Sequence, residues 1–160
     1  MSQSCLDCVQ RSDRAFCDLP PDALAAFDDI KSARTSPKGT VLFREGHAAH
    51  GVFLLCEGRV RLSVCSESGS RMILRVAAPG EILGLSASLA GGCYQVTAEA
   101  LDTVRLAAVR RKDLLHFLRR HRDACLRIVN LLSQDLHIAY DRVRTVGLVR
   151  TRRPRAGQAH

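Results

Sequence analysis

Residues 38–92 read KGTVLFREGHAAHGVFLLCEGRVRLSVCSESGSRMILRVAAPGEILGLSASLAGG, and this stretch decides the fold. Short apolar runs are separated by glycines, and residues 59–65 alternate between apolar and polar side chains. Alternation with a period of two predicts strands that bury one face. Turns roughly every 8–12 residues predict an antiparallel β-sandwich or barrel. The alternating apolar residues are Val60, Leu62 and Val64, followed by Met72, Leu74 and Val76.

The segments on either side have different patterns. Pro20-Pro21-Asp22 opens a short helix, because Leu24, Phe27 and Ile30 recur at helical spacing and proline is tolerated in the first turn. After Val109 the period changes again, and residues 112–121 predict a second short helix. We therefore predict a cysteine-bearing segment at residues 1–19, a β-roll domain at 20–121, a dimerisation helix at 122–148 and a basic disordered tail at 149–160.

Residues 122–148 carry the longest helical pattern. Apolar side chains recur there at spacings of four and three, which is the heptad seam of a coiled coil. A second stripe contains Ile128, Leu131 and Ile138. We predict a parallel homodimer through the seam; the alternative is that both stripes face one core. The seam residues are Cys125, Val129, Leu132, Leu136, Ala139, Val143 and Val146.

Charge is concentrated at the C-terminal end. The chain of 160 residues has a net charge of +8, and residues 104–160 hold 14 Lys and Arg against 4 Asp and Glu. Such an asymmetry favours an anionic partner, nucleic acid first and an acidic membrane surface second; the alternative is a solvated helix face with a basic tail. No apolar run approaches the roughly 20 residues that span a bilayer, and the N-terminus shows no secretory pattern. We therefore expect a cytoplasmic protein without membrane contact.

Three of the seven cysteines lie close together at the N-terminus. Cys5 and Cys8 form a C-x2-C pair, and Cys17 follows nine residues later. Such a pair can place two thiolates on one metal, which usually has four ligands in total. The cysteines leave three interpretations open: an iron–sulfur cluster, a zinc site, and thiols that bind no metal.

Several separated motifs resemble the sensor half of the Crp/Fnr family of bacterial transcription regulators. They are Leu42-Phe43-x-Glu45-Gly46, Gly58-Arg59-Val60-x-Leu62, Pro79-Gly80-Glu81 and Gly84. The resemblance implies a cyclic-nucleotide-binding-like jelly roll, mainly β, flanked by a short N-terminal helix and a long dimerisation helix. The start of the chain further resembles the oxygen-sensing Fnr branch, in which N-terminal cysteines bind an iron–sulfur centre. Cys93 is the candidate fourth ligand.

The resemblance also places an effector pocket. In cyclic-nucleotide-binding relatives, the loop that corresponds to residues 80–89 cradles a sugar–phosphate with the help of a Glu and an Arg. Here the Glu position falls on Leu85, and the Arg-Ser positions fall on residues 94–95 or 95–96. Because a buried phosphate without charged partners is strongly disfavoured, we do not expect cyclic AMP to bind. The pocket residues are Gly80, Glu81, Gly84, Leu85, Ser86, Tyr94 and Gln95.

These features predict a sensor and dimerisation domain rather than an enzyme. The His-x-His pattern of a cupin metal site is absent from the sequence, as are a phosphate loop and a Ser/His/Asp order. In the family the long helix leads into a helix-turn-helix domain, which we expect to be missing here. Nucleic acid would then be contacted through that missing domain, or weakly through the arginines of the tail. The alternative is an effector-free module that forms mixed dimers with full-length relatives.

Overall fold

The alternating stretch forms a β-hairpin inside a two-sheet roll. The computed structural model describes residues 17–151, and the side chains of residues 17–145. The helices are α1 (Pro21–Ile30), α2 (Leu85–Ala90), α3 (Arg111–Arg120) and α4 (Arg122–Thr151). The strands are β1 (Ser32–Ser36), β2 (Val41–Phe43), β3 (Gly51–Glu57), β4 (Val60–Cys65), β5 (Arg71–Ala77), β6 (Ile82–Leu83), β7 (Thr97–Ala100) and β8 (Val104–Arg110).

The strands form two four-stranded antiparallel sheets. Sheet A has the order β1-β8-β3-β6, and sheet B has the order β2-β7-β4-β5. Leu55 and Leu106 of sheet A share one buried cluster with Val60, Leu62 and Ala98 of sheet B. The predicted roll with a short N-terminal helix and a long C-terminal helix is therefore confirmed.

Two details of the predicted alternation are wrong. On β4, Ser63 is buried and Val64 is only half-buried. The β4–β5 register also shifts, because Leu62 pairs with Arg75 and Ser63 with Ile73, which leaves Leu74 as an extra residue on β5. Met72 and Val76 were expected to be buried but are 55% and 44% exposed. The reason is that β5 is the edge strand of sheet B, and an edge position cannot be recognised from a period of two.

The turns of the roll confirm the predicted use of glycine, since Gly46, Gly58 and Gly80 have φ angles of 87°, 89° and 98°. Beside Gly58, Arg59 donates from Nε and Nη2 to the two carboxylate oxygens of Asp102, at 2.8 and 3.0 Å. These hydrogen bonds lower the pKa of Asp102 and raise the pKa of Arg59. Because the carboxyl pKa is depressed, the stability from this pair is present above the ordinary carboxyl pKa and is lost as the pH falls.

Helices α1 and α3 pack together beside the sheets. The rings of Phe27 and Phe117 meet edge to face, with centroids 5.7 Å apart, and Leu24 and Leu114 are buried with them. Both helices were predicted, α1 from the spacing of Leu24, Phe27 and Ile30 and α3 from the leucines at residues 114, 115 and 118. Residues 31–36 were not predicted as a strand; SARTS has no apolar alternation, because both faces of β1 are largely exposed.

The long helix α4 begins at the predicted residue and ends later than expected, at Thr151 rather than residue 148. The next proline is Pro154, and Gly147 in a helix interior costs only about 1 kcal/mol. Residues 152–160, the rest of the predicted tail, lie outside the described residues. The chain divides into two compact units, Met1–Arg127 and Ile128–His160. Within residues 17–151, no helix is both long and apolar enough to cross a membrane.

Candidate functional site

The predicted effector loop is built from β6 and α2. Gly84 precedes α2 with a φ of 80°, which favours glycine. A Cβ atom there would lie 2.8 Å from Cε1 of Tyr94, so the loop and the Tyr94 ring are in direct contact. Leu85 is the first residue of α2 and is buried, whereas Ser86 is exposed. The structure thus brings Gly84, Leu85 and Tyr94 together.

The hydroxyl of Tyr94 is used within the protein. It donates to the carbonyl oxygen of Gly51 at 2.7 Å, and the Ser88 hydroxyl donates to the same oxygen at 2.8 Å. The Tyr94 ring stacks on Phe43, with centroids 4.1 Å apart. Tyr94 therefore joins α2, β3 and the core, while its neighbour Gln95 is exposed.

The carboxylate of Glu81 also has partners close in sequence. Arg75 forms an ion pair with its Oε1 at 2.6 Å, and the Ala78 amide donates to its Oε2 at 2.7 Å. Gly80 donates its amide to the Leu55 carbonyl at 2.8 Å, which fixes the start of the loop against β3. Each carboxylate oxygen of Glu81 thus has a partner, one on β5 and one in the loop that follows β5.

Arg111 is a positioning residue that the sequence patterns did not reveal. Its Nε donates to the carbonyl oxygen of Ser88 at 2.6 Å, near the C-terminal end of α2. A cation is favourable there because the last carbonyls of a helix carry partial negative charge. Arg111 follows β8 directly, and only its place at the start of α3 could have suggested this role.

The described cysteines do not converge on a metal site. Cys17 is buried just before α1, and Cys93 is exposed in an isolated bridge with Ala48. Among residues 17–151, no group of three His, Cys, Asp or Glu side chains could hold a metal ion. Cys5 and Cys8 lie outside the described residues. The described part of the predicted ligand set therefore gives no geometry for a cluster.

The predicted dimer seam is largely exposed in the single chain. Val129, Leu136 and Val143 are 50%, 52% and 68% exposed. Ala139 is exposed too, and Cys125 and Leu132 are half-buried. The side chain of Val146 lies outside the described residues. An exposed row of large apolar side chains is unusual for a monomer and typical of an interaction surface.

A model of the cyclic nucleotide-binding domain family matches residues 33–121. The chain belongs to the cyclic nucleotide-binding domain family. Among curated proteins, the chain is similar to the transcriptional activatory protein AadR of Rhodopseudomonas palustris, with 30% identity over 114 residues, 71% of this chain and 46% of AadR. The transcriptional activator protein FnrA of Stutzerimonas stutzeri is 32% identical over 114 residues, 69% of this chain and 46% of FnrA.

Among solved structures, the catabolite activator protein of Thermus thermophilus is similar to this chain with a TM-score of 0.77 and 26% identity. The match covers 83% of this chain and 62% of that protein. These relatives confirm the resemblance to Crp/Fnr regulators. The chain spans about half the length of the curated relatives it matches.

Within this cyclic nucleotide-binding domain, the predicted pocket contains no cationic side chain. Its one charged residue, Glu81, is paired with Arg75, and Leu85 is buried where the resemblance implies a Glu. A cyclic phosphate placed there would meet no guanidinium from the pocket residues. That cyclic AMP does not bind stays a prediction from the sequence.

Proposed function

We propose that this chain is the sensor and dimerisation domain of a Crp/Fnr-type transcription regulator. In this proposal the domain is not an enzyme and acts in the cytoplasm, where an effector or redox event near the roll changes how two copies of α4 pack. That change passes to a DNA-binding domain outside this chain. The observation that carries the proposal is the exposed apolar seam of α4 in a domain whose relatives are transcription activators.

The proposed domain organisation keeps the predicted segments. Residues 20–121 form the sensing roll, residues 122–148 form the dimerisation seam, and residues 149–160 form the basic tail. Any contact with nucleic acid by this chain alone is limited to phosphates reached by the tail arginines, which gives weak and salt-sensitive binding.

A parallel seam predicts a specific cross-link. In a parallel two-fold coiled coil, each seam residue faces its own copy, so Cys125 of one chain meets Cys125 of the other. We expect mild oxidation to give a disulfide-linked dimer on a non-reducing gel, and Cys125→Ser to abolish it. Cys65→Ser is the control, because Cys65 is exposed on β4 and is not a seam residue. A linked dimer that survives Cys125→Ser and disappears with Cys65→Ser would contradict the parallel seam.

The redox branch of the proposal concerns Cys5, Cys8 and Cys17, with Cys93 as the candidate fourth ligand. Thiolates are the ligands that iron–sulfur clusters require. We expect anaerobic reconstitution with iron and sulfide to give a protein that absorbs visible light, and Cys5→Ser or Cys8→Ser to remove the absorbance. Cys56→Ser is the control, because Cys56 is half-buried in β3. A colourless protein after reconstitution would eliminate the cluster.

The second candidate function is an effector-free interaction module that forms mixed dimers with full-length relatives. The engaged Tyr94 hydroxyl and the buried Leu85 favour it, because neither side chain offers a free polar atom to a ligand in the predicted pocket. Isothermal titration with cyclic AMP together with the reconstitution separates the two functions. A titration without binding heat together with a colourless reconstituted protein supports the module. Binding of cyclic AMP, or visible absorbance after reconstitution, supports the sensor.

A further inference from the structure

A cleft of about 610 Å³ opens at the end of the roll where β1 and β2 form the sheet edges. Its apolar floor includes Leu42, Phe43 and Phe53, and its polar lining includes three arginines, two histidines and one aspartate. This volume lies within the range of small-molecule sites, which combine apolar walls with a few polar groups. The polar residues are Arg34, Arg44, His47, His50, Arg110 and Asp113.

The register of sheet A explains how Arg34 reaches the cleft. Phe53 and Leu55 of β3 pair with Ala108 and Leu106 of β8, which in turn pair with Ser32 and Arg34 of β1. Leu55 and Leu106 are buried in the core between the sheets. Because paired residues share a face, Arg34 lies on the inner face, where a sandwich usually carries an apolar residue. Its guanidinium carbon sits 5.9 Å from the centroid of the Phe53 ring.

The arginines of the cleft differ from the others of the roll in their ion pairs. Residues 32–110 contain eight arginines. Five pair with carboxylates, and the three that form no ion pair with any described residue are the three that line this cleft. The paired residues are Arg59, Arg61, Arg71, Arg75 and Arg105; the others are Arg34, Arg44 and Arg110.

We propose that this cleft binds a small phosphate monoester with a flat apolar body. The three guanidinium groups exceed the single carboxylate of Asp113 by two charges, and a phosphate monoester carries close to two negative charges at neutral pH. Guanidinium groups bind phosphate oxygens through paired hydrogen bonds. The exposed His47 and His50 supply further polar atoms at the rim, and the half-buried Phe53 ring offers the apolar body a surface. The cleft shares Tyr94 with the predicted effector pocket, but its three arginines stand on β1, directly after β2 and at the end of β8, none of them on the α2 loop.

The test is a calorimetric titration of the 160-residue chain at constant ionic strength with phenyl phosphate, inorganic phosphate and phenol. We expect saturable binding of phenyl phosphate, about tenfold weaker binding of inorganic phosphate, and none of phenol. Arg34→Gln combined with Arg110→Gln should weaken phenyl phosphate binding by about tenfold or more, because both guanidinium groups are lost. Their side chains are exposed and without ion pairs to described residues, so thermal unfolding without ligand should not change.

Arg119→Gln is the matched control, since Arg119 is exposed on α3 and does not line the cleft. If Arg119→Gln weakened phenyl phosphate binding as much as the double variant does, the binding would reflect general charge attraction, and the proposal would be overturned. Phenyl phosphate binding that the double variant leaves unchanged would also overturn it, as would binding of an acidic peptide in place of phenyl phosphate. The seam variant Leu136→Glu should bind phenyl phosphate normally, so failure of the dimer and failure of this site are distinguishable.

Discussion

Gly51→Ala is expected to lower the free energy of unfolding by about 3 kcal/mol or more. A Cβ atom at residue 51 would lie 2.2 Å from the carbonyl oxygen of Val109, a backbone atom of the neighbouring strand. Because that oxygen belongs to β8, the clash can be relieved only by moving the two central strands of sheet A apart. Equilibrium unfolding in urea measures the change.

The same substitution should disturb the predicted pocket, because the Gly51 carbonyl accepts hydrogen bonds from Ser88 and Tyr94. Gly92→Ala is the matched control. A Cβ atom at residue 92 would meet nothing within 4 Å, so we expect a change of no more than about 0.5 kcal/mol. Equal stability of the Gly51→Ala and Gly92→Ala variants would show that β3 and β8 are not as close as described.

Leu136→Glu is expected to weaken self-association of the chain by about 100-fold or more, which corresponds to about 2.8 kcal/mol. Leu136 is 52% exposed in the single chain, and in the proposed dimer it would be buried against its own copy. A carboxylate at that position would lose its hydration without gaining a cationic partner in the seam. Analytical ultracentrifugation over a concentration series measures the dissociation constant.

Gln134→Glu is the control for this substitution. Residue 134 lies on the same helix, is exposed, and falls outside the heptad seam, so it gains the same charge without entering the interface. We expect its dissociation constant to stay within about twofold of that of the unaltered chain. If both variants weaken association equally, the interface is governed by net charge and not by the seam.

Local patterns were sufficient to predict most of the fold. The spacing of Leu24 and Phe27 predicted α1, the glycine-separated alternation predicted the roll, and the heptad spacing in the proline-free residues 122–148 predicted α4. Each of these follows from interactions between residues close in sequence. The exposure of β5 was not predictable in this way, because the order of strands in a sheet depends on long-range pairing.

In the candidate sites, too, some features could be predicted from the sequence and others depend on the folded structure. The resemblance implied an effector loop at α2 with Leu85 at the position of a Glu in relatives, and this assignment stays a prediction. It gave no indication of the hydroxyl pair on the Gly51 carbonyl, or of Arg111 at the end of α2. The cleft arginines stand at residues 34, 44 and 110, on separate elements that only the folded sheets bring together. The one local sign was Arg34 in a strand without large apolar residues.

The most direct test of the proposed dimerising sensor is the mass of the unaltered chain in solution. Size-exclusion chromatography with light scattering, run over a range of concentrations, should give twice the mass of one chain, with dissociation only on dilution. The mass of a single chain at every concentration would contradict the seam on α4 and with it the proposed mode of signalling.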